Sequence, residues 1–93
     1  MKYLVELAII PKEDILDPQG NVVGNTLNKM GYPNERVRVG MYIAYQTEKA
    51  DEKEVRTEVS NITKVLFSRG IIEFNTQTYR IHSIKKLDDK IVS

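Results

Sequence analysis

Residues 2–10 alternate between apolar and other side chains, which is the pattern of a β-strand. The apolar positions that share one side of this strand are Tyr3, Val5, Leu7 and Ile9. The other side carries charge but is itself partly apolar, at Leu4, Ala8 and Ile10. An isolated sheet with one face in water would not carry apolar side chains on both faces, so a second covering layer is expected.

A first helix is predicted from Pro18 to Met30, because apolar residues recur there at helical spacing. These residues are Val22, Val23, Leu27 and Met30. Asp17 stands at the N-cap, where its carboxylate accepts from free backbone N–H groups, and Pro18 stands at N1, where no N–H is missed. Gly31 suits the left-handed conformation that ends many helices. The charge of Asp17 and the missing donor of Pro18 disfavour the alternative of a phosphate site at this helix start.

Gly20 and Gly24 lie four residues apart, on one face of the predicted helix. Each glycine costs about 1 kcal/mol relative to alanine inside a helix, so close packing against another segment is one explanation for the pair. The other explanation is that Gly20 lies in the first turn and matters little. The sequence leaves both explanations open.

The most regular strand pattern runs from Arg36 to Thr47. Its unbroken apolar face consists of Val37, Val39, Met41, Ile43 and Tyr45. The other face begins with Arg36 and Arg38 and continues with Tyr42. A strand of this length is long for a small domain, so part of it is expected to project beyond its neighbours and pair with a second chain.

The second helix begins with Asp51 as N-cap and Glu54 three residues later, which is the pattern of a capping box. Its narrow apolar stripe consists of Val55, Val59, Ile62 and Leu66. Gly70 ends this helix. A third strand is predicted over residues 71–82, where the alternation is less regular.

The predicted order is therefore β-α-β-α-β, an α+β two-layer sandwich in which two helices cover one face of a three-stranded, mainly antiparallel sheet. The single domain is expected to span residues 1–83, and residues 84–93 form a charged C-terminal tail. The opposite sheet face carries apolar residues that water alone would not cover, so homodimerisation through the sheet or along its edge is expected. The residues of that face are Leu4, Ala8, Tyr42 and Ala44.

Composition narrows the range of functions. The 93 residues include 14 basic and 13 acidic side chains, for a formal net charge of +1, which argues against nucleic acid as the main partner. The chain has no cysteine and no run of about 18 apolar residues, so disulfides and a membrane span are excluded. A cytoplasmic globular domain is the expectation.

Candidate chemistry is sparse. Arg36 and Arg38 would share one side of the predicted strand, with Tyr42 beyond them. This arrangement could recognise a carboxylate or phosphate, form an interface ion pair, or be a solvated basic edge. His82 has no partner of a catalytic arrangement and is expected to be structural or exposed. No nucleophile, base and oxyanion site occur together, so the chain alone does not resemble a complete enzyme.

Three stretches, "LDPQG", "LNKMGY" and "VRVGMYI", give the chain a specific resemblance. In this order and with these gaps they resemble the small PurS-type subunit of phosphoribosylformylglycinamidine (FGAM) synthase, over roughly residues 3–81. The chain departs from the family pattern at Met41, where lysine is usual. It also lacks an Asn-Pro pair in "FSRGIIEF", and its tail is longer than usual.

The resemblance implies a non-catalytic subunit that binds no cofactor or metal itself. As a homodimer or higher oligomer, it would bridge a glutaminase (PurQ-type) subunit and a synthetase (PurL-type) subunit and assist ammonia passage. ATP and magnesium are expected on the synthetase, which converts formylglycinamide ribonucleotide to the amidine. The motif positions that become interface candidates are Asp17, Pro18, Gln19, Gly20, Arg36, Val37, Arg38, Val39, Gly40 and Tyr42. The alternative is a dimeric regulatory module that binds a small metabolite.

Overall fold

The structure is a computed structural model, and it describes residues 1–87. Its five elements follow the predicted order β-α-β-α-β, which confirms the α+β class. They are β1 (Lys2–Pro11), α1 (Pro18–Lys29), β2 (Met41–Glu48), α2 (Glu52–Ser68) and β3 (Gln77–Lys86). Neither helix of residues 1–87 has the length and apolarity needed to cross a membrane.

The sheet has the order β2-β1-β3, and β1 pairs antiparallel with both neighbours. The central place suits β1, because it is apolar on both faces and donates and accepts along both edges. Val5, for example, faces Tyr45 of β2 and Ile84 of β3. The two outer strands each leave one edge unpaired within residues 1–87.

The core lies between the sheet and α2. Three side chains of β1 form a buried cluster there with Val55 and Val59 of α2, as the alternation and the helical stripe predicted. The β1 residues of this cluster are Tyr3, Val5 and Leu7, and Ile9 is buried outside it. The N-cap prediction for α2 is confirmed, since the Asp51 carboxylate accepts from the Glu54 N–H at 3.0 Å. Glu54 in turn accepts from the Ala50 N–H at 3.0 Å.

The prediction for the third strand was wrong at both ends. β3 begins at Gln77, after a turn that buries Ile72, and it continues to Lys86. Residues 84–86 of the predicted tail therefore belong to the sheet, and residues 88–93 lie outside the described residues. Residues 71–76, which form the turn before β3 and carry apolar side chains of their own, account for the irregular pattern. Within β3, Glu6 faces Ser83 while Leu7 faces Ile81, so the exposed His82 is an extra residue in a β-bulge, which shifts the alternation beyond it by one position.

The long strand predicted from Arg36 was also wrong, because β2 begins only at Met41. Arg36 has a φ of 55°, in the left-handed region, which a regular strand does not accommodate. Residues 34–40, which we call the connecting segment, instead run beside α1 and reach the sheet at Gly40. A Cβ on Gly40 would collide with the carbonyl oxygen of Ile9, so only glycine fits this close approach.

The first helix is present as predicted, but it contributes little to the core. Its only buried residues are Gly20 and Gly24. The apolar side chains at helical spacing remain exposed at 65%, 40%, 36% and 69% for Val22, Val23, Leu27 and Met30. Their helical periodicity therefore predicted the helix correctly, although these side chains do not contact the buried cluster of β1 and α2.

Candidate functional site

Asp17 joins the start of α1 to the connecting segment. One carboxylate oxygen accepts from the Gly20 N–H at 3.0 Å, which confirms the predicted cap. The other oxygen accepts from the Val39 N–H at 2.9 Å, a contact across 22 positions of sequence. The hydrogen bonds from Gly20 and then Val39 lower the pKa of Asp17, against the opposing effect of burial. Asp17 is therefore ionised at neutral pH and links two segments.

The two glycines of α1 allow the connecting segment to lie directly against the helix. A Cβ on Gly20 would overlap the carbonyl oxygen of Val37 and would lie 2.6 Å from the Asp17 carboxylate. A Cβ on Gly24 would lie 3.1 Å from the side-chain oxygen of Asn34. Close packing is therefore the correct explanation for Gly20, while the contact at Gly24 is tight but involves only side-chain atoms.

Asn34 fastens the other end of the same segment. Its side-chain nitrogen donates to the Gly24 carbonyl at 3.2 Å and to the Tyr32 carbonyl at 2.8 Å. Its backbone N–H donates to the side chain of Asn28 at 3.0 Å. Gly31 has the predicted left-handed conformation, with a φ of 93°. Nothing in the sequence pattern singled out Asn34, because its partners become neighbours only after α1 and the connecting segment pack together.

The two arginines of the connecting segment have different environments. Arg38 donates to the carbonyl oxygens of Lys12 at 2.5 Å and Ile15 at 3.5 Å, and so holds the loop before α1 in place. Arg36 is exposed, and no hydrogen bond or ion pair joins its guanidinium to another group among residues 1–87. The two side chains do not share a strand face, because neither lies in a strand.

Tyr42 belongs to a separate polar cluster on the helix-free face of the sheet. Its hydroxyl donates to the Glu6 carboxylate, whose other oxygen accepts from the Ser83 hydroxyl at 2.5 Å and lies 3.4 Å from the Lys85 ammonium. Hydrogen bonds from Ser83 and then Tyr42 are the main causes that lower the pKa of Glu6 to about 2. The structure therefore does not bring Tyr42 together with the arginines, and the cluster ties all three strands together.

A polar groove follows α1 and the connecting segment. Its lining includes carboxamides from one face of α1 and both arginines, together with three carboxylates. The carboxamides are those of Asn21, Asn25 and Asn28, and the carboxylates are those of Glu13, Asp14 and Glu35. The groove therefore offers hydrogen-bonding groups of both kinds and carries no strong net positive charge.

This geometry defines a class of protein: a small β-α-β-α-β domain whose first helix is fastened to a following extended segment. Residues 4–83 match the family model described as PurS, phosphoribosylformylglycinamidine (FGAM) synthase. The chain belongs to this family, which confirms the identification made from three short motifs. As a member of the family, it is a subunit of FGAM synthase and acts in purine biosynthesis.

Individual relatives agree with the family match. The chain is 33% identical over 72 residues to the phosphoribosylformylglycinamidine synthase subunit PurS of Bacillus subtilis, covering 76% of this chain and 84% of that protein. Among solved structures, Thermus thermophilus PurS superposes with a TM-score of 0.80 at 27% identity, covering 95% of this chain and 100% of that one. B. subtilis PurS superposes with a TM-score of 0.66 at 27% identity, covering 90% and 99%.

The three motifs that carried the resemblance meet in one place in the fold. "LDPQG" supplies the cap and Gly20, "LNKMGY" supplies Asn28 and the helix end, and "VRVGMYI" supplies the connecting segment and the start of β2. The residues are far apart in sequence, but they form one hydrogen-bonded junction. We call this unit, formed by α1, residues 12–17 and the connecting segment, the α1 junction.

Proposed function

We propose that this chain is the assembly subunit of the synthase and has no catalytic activity of its own. As a homodimer, it bridges the glutaminase and the ATP-dependent synthetase, so that ammonia released from glutamine reaches the site where formylglycinamide ribonucleotide becomes the amidine. ATP and magnesium bind the synthetase, and no cofactor binds this chain. The complex works in the cytoplasm.

The observation that carries this proposal is the surface that α1 exposes. The side chains of the α1 junction that look reactive bond internally: Asp17 to two N–H groups, Arg38 to two carbonyls. What α1 presents outward is a set of exposed apolar side chains on a helix whose position is fixed. Exposed apolar surface on a rigid element is typical of a docking surface.

The helix-free sheet face is proposed as the surface between two copies of the chain. Tyr42 is 61% exposed there and is held by Glu6, while Leu4 and Ala8 are half-buried beside them. An aromatic side chain fixed by a charge-assisted hydrogen bond is a suitable interface anchor, since little side-chain entropy remains to be lost.

The motif residues take two roles in this proposal. The buried Asp17 and Gly20 shape the α1 junction without touching a partner. The side chains proposed to contact neighbouring subunits are the exposed ones at Pro18, Gln19, Arg36 and Tyr42. Arg38, which bonds to two carbonyls of the same chain, positions them together with Val37, Val39 and Gly40.

Reconstitution tests the proposal. Synthetase and glutaminase are mixed with and without this chain, and amidine formation is followed with glutamine as the nitrogen source. We expect the chain to raise the glutamine-dependent rate strongly and to show no turnover alone. A matched assay with ammonium salt in place of glutamine should respond much less, since free ammonia needs no transfer between subunits. An equal rate with and without the chain would contradict the proposal.

A further inference from the structure

The backbone of Arg36 is in a conformation that arginine rarely adopts. Its φ of 55° is the only positive φ of a non-glycine residue within the described part of the chain. The left-handed region costs roughly 1–2 kcal/mol for a residue with a Cβ, and glycine adopts it freely. Glycine would therefore form this bend at a lower conformational cost. The presence of arginine at position 36 must be explained by its side chain.

Contacts within the described residues of the chain do not explain the arginine at position 36. The guanidinium of Arg36 is exposed and bonds to no group among residues 1–87. Arg38, two positions later, shows the contrast, because it donates to two backbone carbonyls. Side chains held by strained backbone are found chiefly where they meet a ligand or partner.

The surroundings of Arg36 restrict what it can bind. The groove that it lines also holds Glu13, Asp14 and Glu35, so three carboxylates stand against two arginines, one of which is already occupied. This balance repels a phosphate or a polyanion, which carries more than one negative charge. A single carboxylate carries one negative charge and is therefore repelled less, and its two oxygens match the planar fork of one guanidinium.

We propose that Arg36 is a recognition residue that binds the carboxylate of an aspartate or glutamate on a partner subunit of the synthase. This inference rests on the proposed assembly function. Arg36 is exposed where it lines the groove, and the carboxamides of Asn21 and Asn25 along the same groove offer hydrogen bonds to the polypeptide that carries the acid.

The test is a matched pair of variants, Arg36→Gly and Arg36→Ala, measured in two ways. Both variants remove the side chain, but only glycine also removes the backbone strain. Unfolding of the isolated chain should give R36G a midpoint at or above that of R36A. Binding of each variant to the synthetase–glutaminase mixture, followed by sedimentation, should be roughly tenfold or more weaker than for the unchanged chain, as expected for loss of an interfacial charge pair.

Two further variants sharpen the result. Arg36→Lys keeps the positive charge but lacks the planar guanidinium with its paired N–H donors, so this variant should bind with intermediate affinity. Lys64→Ala removes one positive charge from an exposed position of α2 and should leave binding unchanged. The difference between R36A and the unchanged chain should shrink as salt is raised, because screening weakens an ion pair.

Binding of R36G and R36A equal to that of the unchanged chain would overturn the inference while leaving the assembly function intact. Loss of binding in R36A alone would also overturn it, since the backbone rather than the side chain would then matter. Competition by millimolar inorganic phosphate that disappears in R36A would reveal a phosphate site instead. Failure of the unchanged chain to assemble would remove the proposed function, and this inference with it.

Discussion

Replacing Gly20 by alanine tests the close packing at the α1 junction. The added methyl group would overlap the carbonyl oxygen of Val37 and stand 2.6 Å from the Asp17 carboxylate. The first obstacle is a backbone atom, and Val39, two residues further on, is held by the same carboxylate. The connecting segment would have to move away from α1, and the bond between Asp17 and the Val39 N–H would be disturbed.

Two opposing effects determine how much Gly20→Ala changes the free energy of unfolding. Alanine is the better helix former by at most about 1 kcal/mol, and by less in the first turn, where Gly20 lies. Forcing a methyl group into a closely packed contact costs about 1–3 kcal/mol. Packing therefore wins, and we expect a net destabilisation of about 1–2 kcal/mol. For a domain of this size that corresponds to a melting midpoint lower by about 5–10 °C.

Gly24→Ala on the same helix is the matched control. Its Cβ would lie 3.1 Å from a side-chain oxygen of Asn34 and 3.4 Å from a methyl of Val37, and these side-chain atoms can shift by a few tenths of an ångström. The gain in helix propensity should offset this small adjustment, so we expect stability within about 0.5 kcal/mol of the unchanged chain. Both variants are unfolded by heat and urea at one protomer concentration, since self-association would shift the midpoint. A higher midpoint for Gly20→Ala, or equal losses for both, would refute the packing argument.

Three further predictions follow from the same contacts. Asp17→Ala should lower the midpoint more than Asp51→Ala, because Asp17 loses two hydrogen bonds and Asp51 loses one; equal shifts would show that the bond to Val39 contributes nothing. The folded-state pKa of Glu6 lies below its usual value of 4.5, at about 2, so its contribution to stability is present above pH 4.5 and is lost as pH falls towards 2. Glu6→Gln should flatten the stability profile in that window, and an unchanged profile would contradict the assignment. Val22→Asp should leave the unfolding midpoint within a few degrees, because Val22 is already 65% exposed, and yet weaken assembly with the partner subunits; assembly like that of the unchanged chain would remove this face of α1 from the interface.

Local features of the chain were predictable because they depend on neighbours in sequence. Asp17, Asp51 and Gly31 follow rules that involve only the adjoining turn of helix, and all three take the predicted conformations or bonds. The alternation of β1 likewise indicated its buried face, because alternate side chains of a strand point to the same side of the sheet.

The remaining features depend on contacts that close only in the folded chain. The residues between Arg36 and Gly40 have a strand-like pattern, and a single left-handed residue removes them from the sheet. The apolar residues of the turn at 71–76 made the predicted third strand begin too early, and the bulge at His82 hid its continuation to Lys86. The partners of Arg38 lie 23 and 26 positions away, beyond the range of any local pattern.

The short motifs and the folded structure carry different information. Three short motifs identified the family, but they did not indicate why those residues occur together. The structure supplies the reason, since Asp17, Gly20 and the connecting segment form one interlocked contact at the start of α1. The start of α1, where the sequence disfavoured a phosphate site, is a rigid support for the exposed face of the helix.

The most direct test of the assembly function is a physical one. Sedimentation velocity of an equimolar mixture of synthetase and glutaminase is measured with and without this chain, in the presence of ATP, magnesium and glutamine. The account predicts two separate species without the chain and a single faster species, containing all three proteins, when it is added. A synthetase–glutaminase complex that forms equally well without this chain, or a mixture in which the chain sediments alone, would contradict the claim that it bridges the two enzymes.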